Sequence, residues 1–476
     1  MKKFLVLFMI AAFVCSSLCA CSSKTKPNNE NSGTGQNSGA GQNPGNGQNP
    51  GIPQNISGNN TSKSGELRFL CSPDSDSACN TESGYYYMTG KAVKLRDGNY
   101  GTHLMYMDFA TLQEIYLCST AGCKHDSPDC PAVLLYDDFP TWTTKLFIFQ
   151  DNLYILSREY DNDGSMLQET ITIGGGNTPE SKPATLYRAN LDGTERKKIY
   201  TFDASLTLED VVIGNDNGIY VITKKLSADK TENLTYTTSS ERKLMFLNLE
   251  SLSIKEICPM TFDDNISWKV IGCYKNALVL SGIDFGREIS KDEKWNDDVY
   301  RELYNNSSEV YALLEFNDSN PKEIYRLPNQ HEHSVKILGD TLYSSSSENQ
   351  NIEALNIETG ERKTLCTLPQ NLIMDSIGDT LCCQDWDLAG NHTYYFINTK
   401  TGDITHTPLT IRCNGWSIEF RAETSSDVLF VYDYDAQKYS DGSYDIFQYK
   451  HALISKDDLF AGLDSYRKIE MIGPGQ

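Results

Sequence analysis

The chain has 476 residues, 39% of them hydrophobic and 22% charged, and a formal net charge of −22. So strong an acidic balance argues against nucleic acid, and against anionic lipid as a partner of the folded part. Cations, peptides and neutral glycans remain as ligand classes, and 14 cysteines need a place.

The first element is a leader. Lys2 and Lys3 precede an apolar run from Phe4 to Cys15, which is too short to span a bilayer comfortably. Leu18-Cys19-Ala20-Cys21 then resembles a bacterial lipobox, whose last cysteine is acylated and becomes the mature N-terminus. The expectation is a lipoprotein signal peptide over 1–20 and palmitate-type acylation at Cys21. Two or more acyl chains anchor stably where one does not, so the expected place is the extracytoplasmic face of the cell membrane. Loss of the leader takes Lys2 and Lys3 with it and leaves a net charge of about −24.

Residues 21–64 come next, and Asn28 to Asn60 is nearly all Gly, Asn, Gln, Ser and Pro, with GQNPGNGQNPG repeating itself. Such a segment buries too little apolar surface to offset its ordering entropy, so it is expected to be a disordered tether. Its r.m.s. reach is roughly 35 Å.

Residues 65–476 have globular composition and are built on a repeat. One element is a turn leading into apolar strand residues: ESGYYY at Glu82, QDNLYIL at Gln150, NDNGIYVI at Asn215, YKNALVL at Tyr274, GDTLYS at Gly339, GDTLCC at Gly378 and SDVLFVY at Ser426. A second is a strand, a tight turn and a strand, as in ANLDGTERKKIY from Ala189, LNLESLSIKEIC from Leu247 and LNIETGERKTLC from Leu355. Asp-Gly and Thr-Gly stand where hairpins want them, and a short alternating strand precedes each unit. Four strands per unit and seven units predict an all-β chain, a β-propeller of seven four-stranded blades. Leu67 to Cys71 is expected to close the ring against the last blade.

The LDGTERKKIY wording resembles the blades of TolB-like and YWTD-like propellers. The whole chain is similar to a group of uncharacterised Gram-positive surface lipoproteins with this signal, tether and propeller, a group in which Cys…Cys-Lys-His…Cys loops also occur. The resemblance implies a fold and a location and no activity.

Long insertions fall between the second and third strands of blades two, three, four and seven. Those loops share a face with the connections between blades, and insertions collected on one face of a repeat protein mark its binding face. Trp142, Trp268 and Trp416 stand at matching places before the innermost strands, either as a rim of indoles for stacking a ligand or as inter-blade packing. His331 and His333 sit near the same funnel. Asp137, Asp138, Asp210, Asp263 and Asp264 lie along the rim, where a cation is conceivable but unspecified.

Eleven cysteines follow Cys21, an odd number that cannot all pair within one chain. Cys71 and Cys79 suit a local disulfide, which secretion permits. Cys118, Cys258 and Cys366 share one register position, which favours a small buried side chain at each. The stretch CSTAGCKHDSPDC, placed in the connection from blade one to blade two, leaves three readings open: a Cys123–Cys130 disulfide, a structural zinc held by Cys118, Cys123, His125 and Cys130, or unlinked thiols.

Glu159, Asp161, Asp163 and Gly164 fail as a calcium loop, because the twelfth position is Thr170. Gly174–Gly176 lacks the Lys and Ser/Thr of a phosphate loop. No catalytic set stands out. The expected role is a binding or scaffold module for a glycan, a peptide or an envelope protein. The alternative is a polysaccharide hydrolase or lyase using His331, His333 and rim carboxylates.

Overall fold

The computed structural model describes residues 65–71, 77–158, 171–173, 182–230, 234–262, 266–290, 293, 296–368, 372–386, 392–439 and 444–472. The expected leader, Cys21 and tether lie outside the described residues, as do Glu159–Gly164, Gly174–Gly176, Asp263 and Asp264. Among the described residues no helix is long and apolar enough to cross a membrane.

The chain folds into seven antiparallel sheets taken in sequence order, the blades of a β-propeller. Their innermost strands are Ala78–Thr81, Thr144–Phe149, Leu206–Asn215, Lys269–Tyr274, His333–Leu338, Leu372–Ile377 and Glu419–Glu423. The repeat in the sequence has a local cause at the turn before the fourth strand of blades one, three, five and six. There an Asp or Asn side chain caps the backbone: Asn356 Oδ1 accepts from the amides of Glu358 and Thr359 at 3.1 and 2.8 Å. Asp108, Asn248 and Asn398 accept in the same way from the residues two and three places on. Such Asx turns satisfy amides that the ladder leaves open. Glycine completes the turn where it is needed. At Gly402 (φ +76) an added Cβ would stand 2.7 Å from the Leu365 carbonyl oxygen of the blade before.

Strand side chains alternate between two neighbouring blades, so the core is a ring of inter-blade clusters. One spans blades three and four, with Ile222, Leu278 and Ala312 fully buried. Another spans blades six and seven around Phe396, Phe420 and Phe430. Polar links add to this on the face of the short turns. The Gln150 side chain donates to the Asp216 carbonyl at 2.6 Å, and the Gly378 amide to Glu423 at 2.9 Å.

Ring closure differs from expectation. The strand β1 (Arg68–Cys71) does not join the last blade. It pairs with the inner strand of blade three, Arg68 opposite Gly214 and Cys71 opposite Val212. The reason is packing on both sides: Phe69 lies on the cluster of blades three and four, and Leu70 and Cys71 on that of blades two and three. The chain enters from the turn face, where the Leu67 amide donates to the Lys275 carbonyl at 3.0 Å. Blades seven and one meet without exchanging a strand. Asn80 donates to the Glu423 carbonyl at 2.8 Å, and the Ser425 hydroxyl to Glu82 at 2.7 Å. Backbone bonds join Glu114 and Leu112 to Glu470.

The long insertions lie between second and third strands, as expected, on the face opposite the short turns. In blade three the insertion extends the hairpin Gly218–Lys230 and Leu234–Asn248, on which Ile171–Ile173 from blade two adds a strand. In blade four it carries a helix, Asp297–Asn305, capped by the Asn296 side chain. In blade seven it is the upper half of the hairpin Asp427–Lys438 and Tyr444–Ser455.

Candidate metal centre and the decorated face

Blade one departs from the four-stranded plan, and the departure builds the site. Its strands are β2 (Ala78–Thr81), β3 (Gly84–Met88), β4 (Val93–Lys94), β5 (Tyr100–Asp108), β6 (Gln113–Tyr116) and β7 (Val133–Leu135). The lower half of β5 pairs with β3 and β6, and its upper end pairs with β4 and β7. The outer strand of the blade is therefore one line broken between Tyr116 and Val133. The cysteine stretch is the excursion inserted at that break, not the connection to blade two.

The excursion folds on local bonds. The Cys118 amide donates back to the Tyr116 carbonyl at 2.6 Å, which takes Cys118 off the strand. Gly122 adopts φ 72° and His125 φ 55°, two left-handed corners that reverse the chain around the sulfurs. The Cys123 amide donates to the Thr120 carbonyl at 3.2 Å, and the Cys130 amide to that of Ser127 at 3.0 Å.

These turns bring one ligand atom each from Cys118, Cys123, His125 and Cys130 to within 4.8 Å of one another, the one such group among the described residues. His125 Nδ1 lies 3.3 Å from Cys130 Sγ. The arrangement fits a metal ion: three sulfurs and an imidazole nitrogen suit tetrahedral coordination, and four protein ligands close the site. The surroundings act in opposite directions on the ligands. Burial pushes the Cys118 thiol up, but the Thr120 amide and hydroxyl and the neighbouring cysteines outweigh it and hold it below the ordinary thiol value. Burial drives Cys130 up to about 12 despite the Ala132 amide on its sulfur. Burial and nearby His103 lower His125, which keeps its ring neutral and able to ligate. The ring is fixed by stacking on Tyr116, centroids 4.2 Å apart, and His103 Nε2–H donates to the His125 carbonyl at 2.8 Å.

The excursion has little else to hold it. Its buried cluster is Leu95, Cys130, Ala132 and Val133, with Tyr116, Cys118, Cys123 and Leu135 at its edge. A core this small does not sustain a segment without a staple. One clamp reaches across from blade two, where Arg196 donates to the Pro131 and Val133 carbonyls at 2.8 Å each.

The other expected site residues are scattered. Trp142 and Trp416 are exposed at 42% and 46%, whereas Trp268 is buried at 4% among Val270, Leu278 and Met260. His331 faces Glu348 at 3.6 Å. His333 has both ring nitrogens engaged, Nε2 with Glu309 at 2.9 Å and Nδ1 with the His331 carbonyl at 3.0 Å. Burial pulls its pKa down, but those two partners outweigh it and raise it above the usual value, so it offers neither a metal nor a substrate a free lone pair. Asp138 pairs with Lys182 at 3.7 Å and Asp210 with Arg158, while Lys182 also donates to the Asp137 carbonyl, so the described rim acids have separate partners. Cys71 and Cys79 are both buried and close enough to interact electrostatically, and the Cys71 thiol donates to the Leu146 carbonyl at 3.4 Å. Cys258 and Cys366 stay on their strands in the core, whereas Cys118, in the same register, does not.

Sequence reading missed the second set of residues on this face. Tyr100, Tyr439, Phe447 and Tyr449 join Trp142 and Trp416 as the six exposed aromatic side chains among the described residues. Each belongs to an insertion or an inter-blade connection, so all six are on the decorated face.

No protein-family model and no curated protein matches the chain. Solved structures with a similar fold include a puromycin hydrolase, 10% identical over 86% of this chain and 54% of that one, with a TM-score of 0.44. The β-propeller domain of the Trilobed protease from Pyrococcus furiosus is 10% identical over 86% of this chain and 99% of that one, TM-score 0.38. TolB from Acinetobacter baumannii is 11% identical over 79% and 78%, TM-score 0.27. The chain spans about half the length of the hydrolase. The likeness is one of β-propeller fold.

Proposed function

We propose that this protein is a membrane-anchored, extracytoplasmic lipoprotein whose β-propeller is a binding module for a glycan, a peptide or another envelope protein, with a structural zinc at Cys118, Cys123, His125 and Cys130. Anchoring rests on the lipobox ending at Cys21. Binding rests on one observation: the six exposed aromatic side chains all belong to the face that carries the insertions. Aromatic rings left in water on one face of a repeat scaffold mark a place where something else covers them. The zinc is supported by the donor set and by the small core around it. As a four-ligand site it braces the fold and leaves no position for substrate.

The test uses the full-length protein and envelope preparations. Replacing Trp142 and Trp416 by alanine should reduce capture of envelope glycan or protein several-fold. Replacing the turn-face residues Leu252 and Ile404, equally exposed, should not. Equal loss in both variants, or in neither, would remove the decorated face as the binding surface.

A further inference from the structure

The six exposed aromatics are not spread around the ring. Tyr100 is in blade one, Trp142 in the connection from blade one to blade two, Trp416 in the connection to blade seven, and Tyr439, Phe447 and Tyr449 in the blade-seven hairpin. Among the side chains whose exposure is described, blades three to six present none, and Tyr236, Trp295 and Trp386 lie outside that set. These six aromatics therefore occupy one arc over three consecutive blades.

Direct bonds make that arc continuous with the metal module. Tyr100 is the first residue of β5 and sits opposite Lys94 of β4, beside the pair Gly101–Leu135 that binds β7. Its carbonyl accepts from the Tyr136 amide at 3.0 Å, and the Tyr136 ring meets Trp142 edge-on, centroids 5.4 Å apart. On the other side Lys91, just before β4, pairs with Asp445 of the blade-seven hairpin at 3.5 Å. Phe447 and Tyr449 lie two and four residues beyond Asp445 on the same strand, where the register shifts at Phe447, and all three are exposed. β4 and β7 are two and three residues long, and next to them lies the small cluster containing the three ligand cysteines.

We infer that this arc over blades seven, one and two is a binding surface for an extended neutral glycan, and that the metal centre holds it in shape without touching the sugar. The inference rests on the proposed binding role of this face and names its ligand class and its support. The glycan follows from chemistry. On the decorated side of these blades the exposed large apolar groups are rings apart from Val93, while Ile115 and Leu463 lie on the outer strand of blade one and beyond the third strand of blade seven. Flat rings spaced along a surface stack on the C–H faces of successive sugars, whereas a peptide ligand calls for apolar pockets or a free strand edge. A chain carrying −22 repels polyanionic polymers. Neutrality and length are what remain.

The experiment measures binding of the full-length protein to neutral hexasaccharides (β-1,4-linked glucose, N-acetylglucosamine and mannose) and to an oligogalacturonate of equal length. A basic decapeptide is the second probe. One neutral hexamer is expected to bind. Alanine at Tyr100, Trp142 or Phe447 should weaken it about three- to ten-fold each, and the anionic oligomer should fail. A thiol-compatible chelator, or Cys123→Ser, should weaken it at least ten-fold with the far-ultraviolet spectrum of the propeller retained. Binding that needs Trp416 and Phe447 but ignores the chelator and Cys123→Ser would overturn the metal's part and leave the binding face standing. Binding of the peptide and none of the hexamers would overturn the glycan. If no probe is affected by any aromatic replacement, the binding-face reading falls with it.

Discussion

His451 gives the sharpest test of the packing between blades seven and one. It lies in the third strand of blade seven, 7% exposed, and its Nδ1 finds no hydrogen-bond partner. Burial, with the Arg421 guanidinium nearby, pushes its pKa down to about 3. The folded protein thus holds the ring neutral, while the unfolded chain takes up a proton near pH 6.5. The sign follows from the depressed value of a basic group: stability is complete above pH 6.5 and is lost as pH falls below it. Each pH unit in that window carries about 1.4 kcal/mol. By pH 4.5 the cost is therefore roughly 2.7 kcal/mol. His451→Leu keeps the volume and removes the proton site. The unfolding free energy of the variant minus that of wild type, measured with urea, should rise by about that amount from pH 7 to pH 4.5. Carboxylates and metal release act on both proteins and cancel in the difference. A gap constant to within about 0.5 kcal/mol would mean that His451 takes its proton in the folded state, and the seam is then not packed as described.

His333 should behave in the opposite sense. Its pKa is raised by Glu309 and the His331 carbonyl against burial, so the stability it contributes is present below pH 6.5 and fades as pH rises through the folded value. His333→Gln should cost about 1–3 kcal/mol at pH 6 and less at pH 8.5, by the same unfolding assay. At the metal centre, native mass spectrometry of protein prepared with its thiols preserved should give one zinc per chain, absent from Cys123→Ser and His125→Ala. A mass lower by two hydrogens and free of metal would establish the Cys123–Cys130 disulfide instead. Trypsin cuts after Lys124, and in that case the disulfide would keep the two flanking peptides joined. Asn356→Ala removes the acceptor of an Asx turn and should lower stability by about 1 kcal/mol without altering the metal content.

What the sequence discloses is whatever is determined within a few residues. The seven-blade count is legible because Asp108, Asn248, Asn356 and Asn398 cap their turns through bonds to residues two and three places on, and that chemistry recurs as a motif. The donor set of the metal centre is legible for the same reason, since all four ligands lie within thirteen residues. Its position is not. That β6 and β7 are halves of one strand depends on their sharing β5, a pairing across some thirty residues with no local mark. Trp142, Trp268 and Trp416 have one register and two fates. What buries Trp268 is a cluster assembled from blades three and four, which no window around residue 268 contains. The route of β1 was hidden in the same way: Leu67 to Cys71 is apolar enough for an inner strand anywhere in the ring, and only the packing of Phe69 and Leu70 selects blade three.

That route bears on force. β1 runs antiparallel beside Leu206–Asn215 and leaves the channel at the turn face, with its first residues next to the last of the neighbouring strand. Tension applied through the chain ahead of Gly65 pulls β1 along its own length. The backbone bonds of the pair are then loaded in shear, all together, rather than peeled from one end. Under the proposed N-terminal anchoring, load reaches the propeller through this inner strand, as through a bolt, and not at the edge of a blade.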